Sequence, residues 1–398
     1  MSICSAASVL AARLIPDDTW LLVCSMVMLT LASTAAGQTG AALYFNASSS
    51  NCTLTQDCTL DISNSNFVNN KAGLTGTVGA VYMELDGFQI IVSNSTCLQN
   101  WAGDGSYDPL AAKTVGGMAV SSGENPVLGQ NFGSILYMVN TSFDSNTGGA
   151  VGALDLESLQ CIALSATTFM NNNGPIGAVN MAQVSGNPTA CAQHAQAAPF
   201  AAQLPSYFDN LLGGTCNIDI RNSNFTGNSR ALYLDQLEQP VSVAESVFDG
   251  NQAVVEPGAG GAGGAIFMIG TFYAYITIID CQFIQNNSPF LGGAIFALSF
   301  SYSHSIANCI FDGNQAAVSG GSLALVDGSF EVNSSTFINS VAGSEGGGGI
   351  TCRDCVRLSV TNTSLANNTC EEAGGAIKVS GLPASDVILD QINATGNM

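Results

Sequence analysis

Charge is what this 398-residue chain lacks most: 8 Lys and Arg stand against 29 Asp and Glu, so charged residues are 9% of the chain and the formal net charge is −21. An ordinary soluble domain carries roughly 25%. Eight scattered cations cannot form the positive surface that phosphate contacts need, which excludes nucleic-acid binding. Long apolar runs are also missing. Beyond residue 37 no uninterrupted apolar stretch reaches the ~18 to 20 residues that cross a bilayer, and a polytopic membrane protein is excluded. Disorder is excluded by the 46% apolar content, because disordered chains are depleted in such residues. Helical periodicity is absent as well. What is present is glycine, 44 residues, together with 13 cysteines and many asparagines.

Residues 1–37 read as a signal peptide, with an early cation at Arg13, an apolar segment from Trp20 to Ala32, and the small residues Ser33-Thr34-Ala35-Ala36-Gly37. Asp17 and Asp18 are unusual in a leader, and an uncleaved N-terminal anchor is the alternative. Either way residues 38–398 are expected to be secreted or displayed at a cell surface. An oxidising compartment agrees with this. Eleven cysteines follow the leader, an odd number, and ten Asn-x-Ser/Thr acceptors occur, at Asn46, Asn51, Asn94, Asn140, Asn224, Asn286, Asn333, Asn362, Asn367 and Asn393.

Internal repetition is the strongest signal. Gly148-Gly149-Ala150-Val151, Gly263-Gly264-Ala265-Ile266, Gly292-Gly293-Ala294-Ile295 and Gly374-Gly375-Ala376-Ile377 are full copies of one block, and looser copies bring the total to eleven. Counted through Gly264, Gly293, Gly321, Gly349 and Gly375, the last intervals are 29, 28, 28 and 26 residues. Between blocks runs Phe-x-x-Asn, headed by Phe67, Phe143, Phe169, Phe225, Phe248, Phe283 and Phe311, the last four followed by Asn228, Asn251, Asn286 and Asn314. Cys97, Phe337, Leu365 and Ala394 head imperfect copies. Two residues before that position stands a small side chain, for example Ser223, Ser246, Cys281, Cys309 and Ser335.

A period of 20 to 50 residues marks a solenoid or a propeller. Each unit holds two or three short β-prone runs broken by Gly and Asn, too little for a four-stranded blade of ~40 residues. The expectation is an all-β, parallel β-helix of ten to eleven coils, roughly 50 Å long at ~4.8 Å per coil. Phe would then stack on Phe inside, and Asn amides would link coil to coil. Residues 101–115, with Trp101, Tyr107 and Pro109, and residues 182–215 exceed one coil and are expected to loop out of the wall.

The alternation of Gly-Gly-Ala-Ile with Phe-x-x-Asn resembles the repeats of the polymorphic outer membrane proteins of chlamydial type, from about Gly40 to Asn397. That resemblance implies a right-handed, pectin-lyase-like β-helix presenting a surface for adhesion. The bacterial members end in a membrane β-barrel, whereas this sequence stops at Met398 inside a repeat. Autotransport is therefore not expected, and a fragment of a longer protein fits the same ending.

Chemistry is sparse. Asp155 and Glu157 share one strand face, and Asp235 with Glu238 forms a second acidic pair. Paired carboxylates can hydrolyse glycosides, so a pectin-lyase-like polysaccharide lyase or glycoside hydrolase is the rival to a non-catalytic scaffold. A solvated acidic wall is the plainer account of these residues. His194 and His304 have no partner at an interpretable spacing, and His304 reads as an exposed residue. No cofactor is expected. Structural calcium is the one metal role left open, although Asp144, Asp249 and Asp312 fall in non-adjacent coils. Disulfide candidates are Cys52 and Cys58, Cys191 with Cys216 across the second excursion, Cys352 with Cys355, and Cys281 with Cys309. The last two are 28 residues apart in one column. The expected partner is a carbohydrate or a cell-surface protein.

Overall fold

The structure, a computed structural model, describes residues 30–32, 35–36, 42–47, 59–72, 78–103, 114–122, 133–184, 218–237, 240–255, 261–271, 275–381 and 386–398. Among them every regular element is a β-strand, and every pairing between named strands is parallel. The chain is a right-handed parallel β-helix, the hand that parallel crossovers take almost without exception.

Three columns of strands make the walls, and a further column of two-residue strands, in two four-stranded sheets, follows the third. Wall 1 contains Val81–Leu85, Met118–Ser121, Val151–Glu157, Gly177–Ala182, Leu232–Asp235, Ile266–Thr271, Ile350–Arg353 and Ile377–Ser380. Wall 2 contains Gln89–Ser93, Ile135–Val139, Cys161–Ser165, Ile218–Arg221, Val241–Ala244, Ile276–Ile279 and Arg357–Thr361. Ile295–Ala307 and Leu323–Asn333 run through both walls without a break. Wall 3 is a 12-stranded sheet of three-residue strands centred on the Phe position. Thr30–Ala32 and Ala35–Ala36, which the leader reading covers, are strands paired with Asn66–Val68 and Lys71–Ala72.

Stacking like on like fills the interior. Phe143, Phe169, Phe225, Phe248, Phe283, Phe311 and Phe337 form one unbroken pile of rings, 4.5 to 5.1 Å apart and nearly parallel. All are fully buried, and Phe67 stands below them with Cys97 between. Beside them the asparagines form a ladder. Asn251 Nδ2 donates to Asn286 Oδ1 (3.0 Å) and to the Phe225 carbonyl (2.9 Å), while its Oδ1 accepts the Asn228 backbone N–H (3.1 Å) and Nδ2 (2.9 Å). Asn286 and Asn314 repeat the pattern. Where the column reads Ser340, the ladder detours from Asn314 through Ser322 and resumes at Asn368. A buried amide in a column meets an identical amide above and below, so donors and acceptors match in every coil.

The corner between walls 2 and 3 explains the small column. Asn94, Asn140, Asn222, Asp280, Asn308 and Asn362 take left-handed backbone angles near φ 50°, which Asn and Asp tolerate best among residues with a side chain. The next residue then donates from its γ atom to the carbonyl two places back, as Ser223 does to Arg221 (2.9 Å) and Thr363 to Thr361 (2.8 Å).

The two glycines of the block have different jobs. Gly292 has φ +63°, and a Cβ there would lie 2.1 Å from the Ile295 carbonyl of its own coil, whereas at Gly293 a Cβ would lie 2.1 Å from the Gly321 carbonyl of the next coil. The second glycine is therefore needed for close stacking rather than for its backbone angle. This geometry corrects two alignments. The close-approach column runs Gly264, Gly293, Gly321, Gly348, Gly375, so Gly349 belongs one place further on, with Ala294 and Ser322. Likewise Leu154, not Val151, pairs with Met118 and Val179, and a bulge separates them. The copy at Gly148 is thus out of register, and Gly152-Ala153-Leu154 takes its place.

The excursions are shorter than their expected bounds. Trp101–Ala102 pairs with Lys71 and Thr147–Gly148, and Val115 bridges Val78 and Val151, so both belong to the coil. Tyr107, Pro109 and residues 185–217 lie outside the described residues.

Candidate functional site

Inward and outward residues alternate along wall 1, and its outward residues form two columns. The first runs Tyr82, Ala119, Asp155, Asn180, Tyr233, Phe267, Phe296, Ala324, Thr351, Lys378; the second runs Glu84, Ser121, Glu157, Ala182, Asp235, Ile269, Leu298, Val326, Arg353, Ser380. Residues of the preceding turn, among them Ile176, Ala262 and Leu291, rise beside the first column and make it the floor of a shallow groove. Along that groove the chemistry changes in order: carboxylates first, then a mid-section of Tyr233, Phe267, Ile269, Phe296, Leu298 and Val326, then two cations.

The mid-section is an outside hydrophobic cluster in its own right. Tyr233, Phe267 and Phe296 stack on one another at 4.9 and 5.3 Å. Arg230, fully buried, closes the groove flank. Its guanidinium donates to the carbonyls of Ile176 (2.6 Å), Ala262 (3.1 Å) and Gly263 (3.2 Å) and lies 5.0 Å from the Phe267 ring. Tyr233, Ile269 and Leu298 keep part of their surface open to solvent. A signal for this stripe exists in the sequence: Ile266-Phe267-Met268-Ile269 and Ile295-Phe296-Ala297-Leu298 are apolar at outward as well as inward positions. Simple alternation would have put polar residues there.

At the far end Ser319, Thr351, Arg353, Lys378 and Ser380 line a small pocket with Glu345. Ser319 and Thr351 share a 2.8 Å hydroxyl contact, and the Lys378 ammonium donates to the Glu345 carbonyl.

Asp155, Glu157 and Asp235 do share this face. Asp155 is buried and accepts a 2.5 Å hydrogen bond from Asn180 Nδ2. Glu157 and Asp235 are separated by two coil steps, about 10 Å. The cations of the same face are further away: Asp235 and Arg353 stand four steps apart in one column, about 19 Å. Arg230, the nearer cation, is spent on carbonyls. Asp155, Glu157 and Asp235 therefore occupy a different stretch of the groove from Arg353 and Lys378, whose pocket holds Glu345 instead, and Glu238 lies outside the described residues.

His304 is a correction. It is buried at 3% exposure and faces the core, stacked on Phe330, because the long strand Ile295–Ala307 carries its pleat through the corner. Its Nδ1 accepts the Ile276 N–H (3.2 Å), which leaves Nε2 to donate to Ser299 Oγ (2.6 Å). Burial pushes its pKa down to about 4. His194 lies outside the described residues.

The cysteines divide. Cys352 and Cys355 form a disulfide. Cys161 is also disulfide-bonded; Cys52, Cys58, Cys191 and Cys216 lie outside the described residues. Cys281 and Cys309 are buried free thiols, not the bridge expected from their column. Each donates to the carbonyl two places back, at 3.2 and 3.1 Å, the role serine takes elsewhere in the column. Residues stacked in register also hold their Cβ atoms parallel, a coil spacing apart, which is wider than the ~3.5 to 4.5 Å a disulfide wants.

Asp144, Asp249 and Asp312 stand on wall 3 in separate coils, and among the described residues no group of three or more His, Cys, Asp or Glu is placed to hold a metal ion. Of the acceptor asparagines, Asn94, Asn140, Asn224, Asn333, Asn362, Asn367 and Asn393 are exposed, while Asn286 is fully buried in the ladder. Asn51 and the side chain of Asn46 lie outside the described residues.

No protein family and no curated protein matches the chain. Among solved structures, the full-length tailspike protein 2 (TSP2, ORF211) from Escherichia coli O157:H7 bacteriophage CAB120 is similar at 12% identity and a TM-score of 0.31, over 83% of this chain. The chain spans 38% of that protein's length.

Proposed function

We propose that this protein is a secreted or cell-surface binding rod, adhesin-like and non-enzymatic, with repeats of the polymorphic outer membrane protein type, and that it takes a cell-surface protein along the outer face of wall 1. The observation that carries this reading is the ordered groove: carboxylates, an apolar mid-section, and cations on one face over more than six coils. A long, polar-ended stripe with an apolar centre suits an extended protein surface of opposite charge order better than a compact substrate.

Two features weigh against the rivals. Sugars pack against the faces of aromatic rings, and here Tyr233, Phe267 and Phe296 cover one another's faces. An enzyme acting on acidic polysaccharides needs paired carboxylates and cations together, whereas Asp235 stands about 19 Å from Arg353, and Glu345 is the one carboxylate lining the pocket of Arg353 and Lys378.

The test is binding of the labelled chain to intact cells that have been treated with protease, with glycosidases, or with neither. Loss after protease and retention after glycosidase supports the reading. Leu298→Asp with Ile269→Asp should weaken binding at least tenfold while leaving the fold intact. Loss after glycosidase alone, or cleavage of a polysaccharide by the purified chain, would overturn it.

A further inference from the structure

From the register we infer that N-linked glycans coat a single side of this rod, the wall 3 side, and that Asn286 carries none although its sequence is an acceptor. The inference rests on the extracellular reading above and is independent of the wall 1 ligand.

Relative to the Phe position of each coil, the exposed acceptors fall in one narrow arc. Asn333 is four residues before it, Asn94, Asn140 and Asn362 three before, Asn224 and Asn393 one before, and Asn367 two after. That arc runs from the end of wall 2, around the left-handed corner, across wall 3 to its closing turn. Seven acceptors spread over many coils thus project from one side. None of the seven lies on wall 1, where among the described residues one acceptor stands, Asn46 in the strand Leu43–Ala47.

Amide chemistry separates Asn286 from the rest. In glycan transfer the side-chain nitrogen attacks the anomeric carbon of a lipid-pyrophosphate-linked oligosaccharide. The Nδ2–C1 bond forms, the bond from C1 to the pyrophosphate oxygen breaks, one Nδ2 proton is lost, and the lipid pyrophosphate leaves. An acceptor therefore needs one spare Nδ2 hydrogen and open space in the folded product. Asn286 has neither: both hydrogens are donated, to Phe248 O (2.9 Å) and Asn314 Oδ1 (3.0 Å), and the residue has no exposed surface. Asn140 and Asn362 each use one, toward Asn94 Oδ1 (3.3 Å) and Ser334 Oγ (3.0 Å), both at the surface. A chain glycosylated at Asn286 would lose at least one of its two donated ladder bonds and could not close the Phe248–Phe283–Phe311 stack around the sugar.

The experiment is expression of the full chain in a secreting eukaryotic cell, once with its own N-terminus and once behind an established secretion leader. Enzymatic release of N-glycans then converts each occupied Asn to Asp, which peptide mass mapping reads. The expected result is occupancy at several of the seven arc positions and an unmodified Asn286 in the folded, secreted protein. Occupied Asn286 in folded protein, or seven empty sites in the leader-driven protein, would overturn the inference. Glycans that appear only behind the added leader would instead sink the extracellular reading.

Discussion

Replacing Asn251 with alanine isolates the amide ladder. The substitution removes four hydrogen bonds, two donated by Nδ2 and two accepted by Oδ1. Three partner groups retain other contacts: Asn228 Nδ2 keeps the Phe169 carbonyl, Asn286 Oδ1 keeps the Asn251 N–H, and Phe225 stays in its strand. The Asn228 backbone N–H is left with no partner, fully buried. Leaving one donor orphaned costs ~1 to 3 kcal/mol and each of the three ordinary lost bonds ~1, so Asn251→Ala should destabilise by about 4 to 6 kcal/mol. Gln252→Ala next door, exposed, should stay within about 0.5 kcal/mol. Solenoids can open in parts, so global unfolding should be paired with hydrogen exchange. The Asn228 amide should lose protection first. An Asn251→Ala protein within about 1 kcal/mol of the parent, with the Asn228 amide equally protected, would refute the ladder as a stabilising element.

Three further outcomes follow from particular contacts. His304 is held neutral, with its folded pKa near 4 and an ordinary value of 6.5. The unfolded chain therefore binds the extra proton first, and about 3 kcal/mol of stability should drain away as pH falls from 6.5 to 4. In His304→Gln that part of the pH slope should vanish, and an unchanged slope would show that another group carries it. Gly293→Ala should cost well over about 3 kcal/mol, because its Cβ meets the backbone of the next coil. Gly250→Ala, where nothing lies within 4 Å but φ is +61°, should cost only ~1 to 2; equal losses would contradict the steric role of Gly293. Thiol labelling of the native protein should reach Cys370, which is part-exposed, and spare Cys97, whose buried thiol is pushed up to about 12, along with Cys281 and Cys309. Rapid native labelling of Cys281 would contradict its burial.

Much of the architecture is legible in the letters because a parallel β-helix repeats its environment. A residue that suits one coil suits the same place in the next, so Phe, Asn and Ser recur at fixed spacing and expose their roles. The glycine block misled by one place at Gly349 and by three at Gly148, since runs of small residues look alike at any offset. Only the carbonyl of the neighbouring coil distinguishes the glycine that lets adjacent coils approach. The serine neighbours of His304 suggest an exposed residue, and nothing local shows that walls 1 and 2 fuse into one strand there.

The sequence by itself determined the class of fold, the period, and the interior columns, because stacking identical side chains leaves a periodic trace that composition cannot hide. Tertiary structure decided the outer surface. Asp235 and Arg353 are 118 residues apart in the chain, yet they fall in one column four coils from each other, close enough to share a groove and too far to share a substrate atom. Which outward residues stay covered also depends on turns of unequal length packed beside them. Those are relations between coils, and they exist only once the chain has wound.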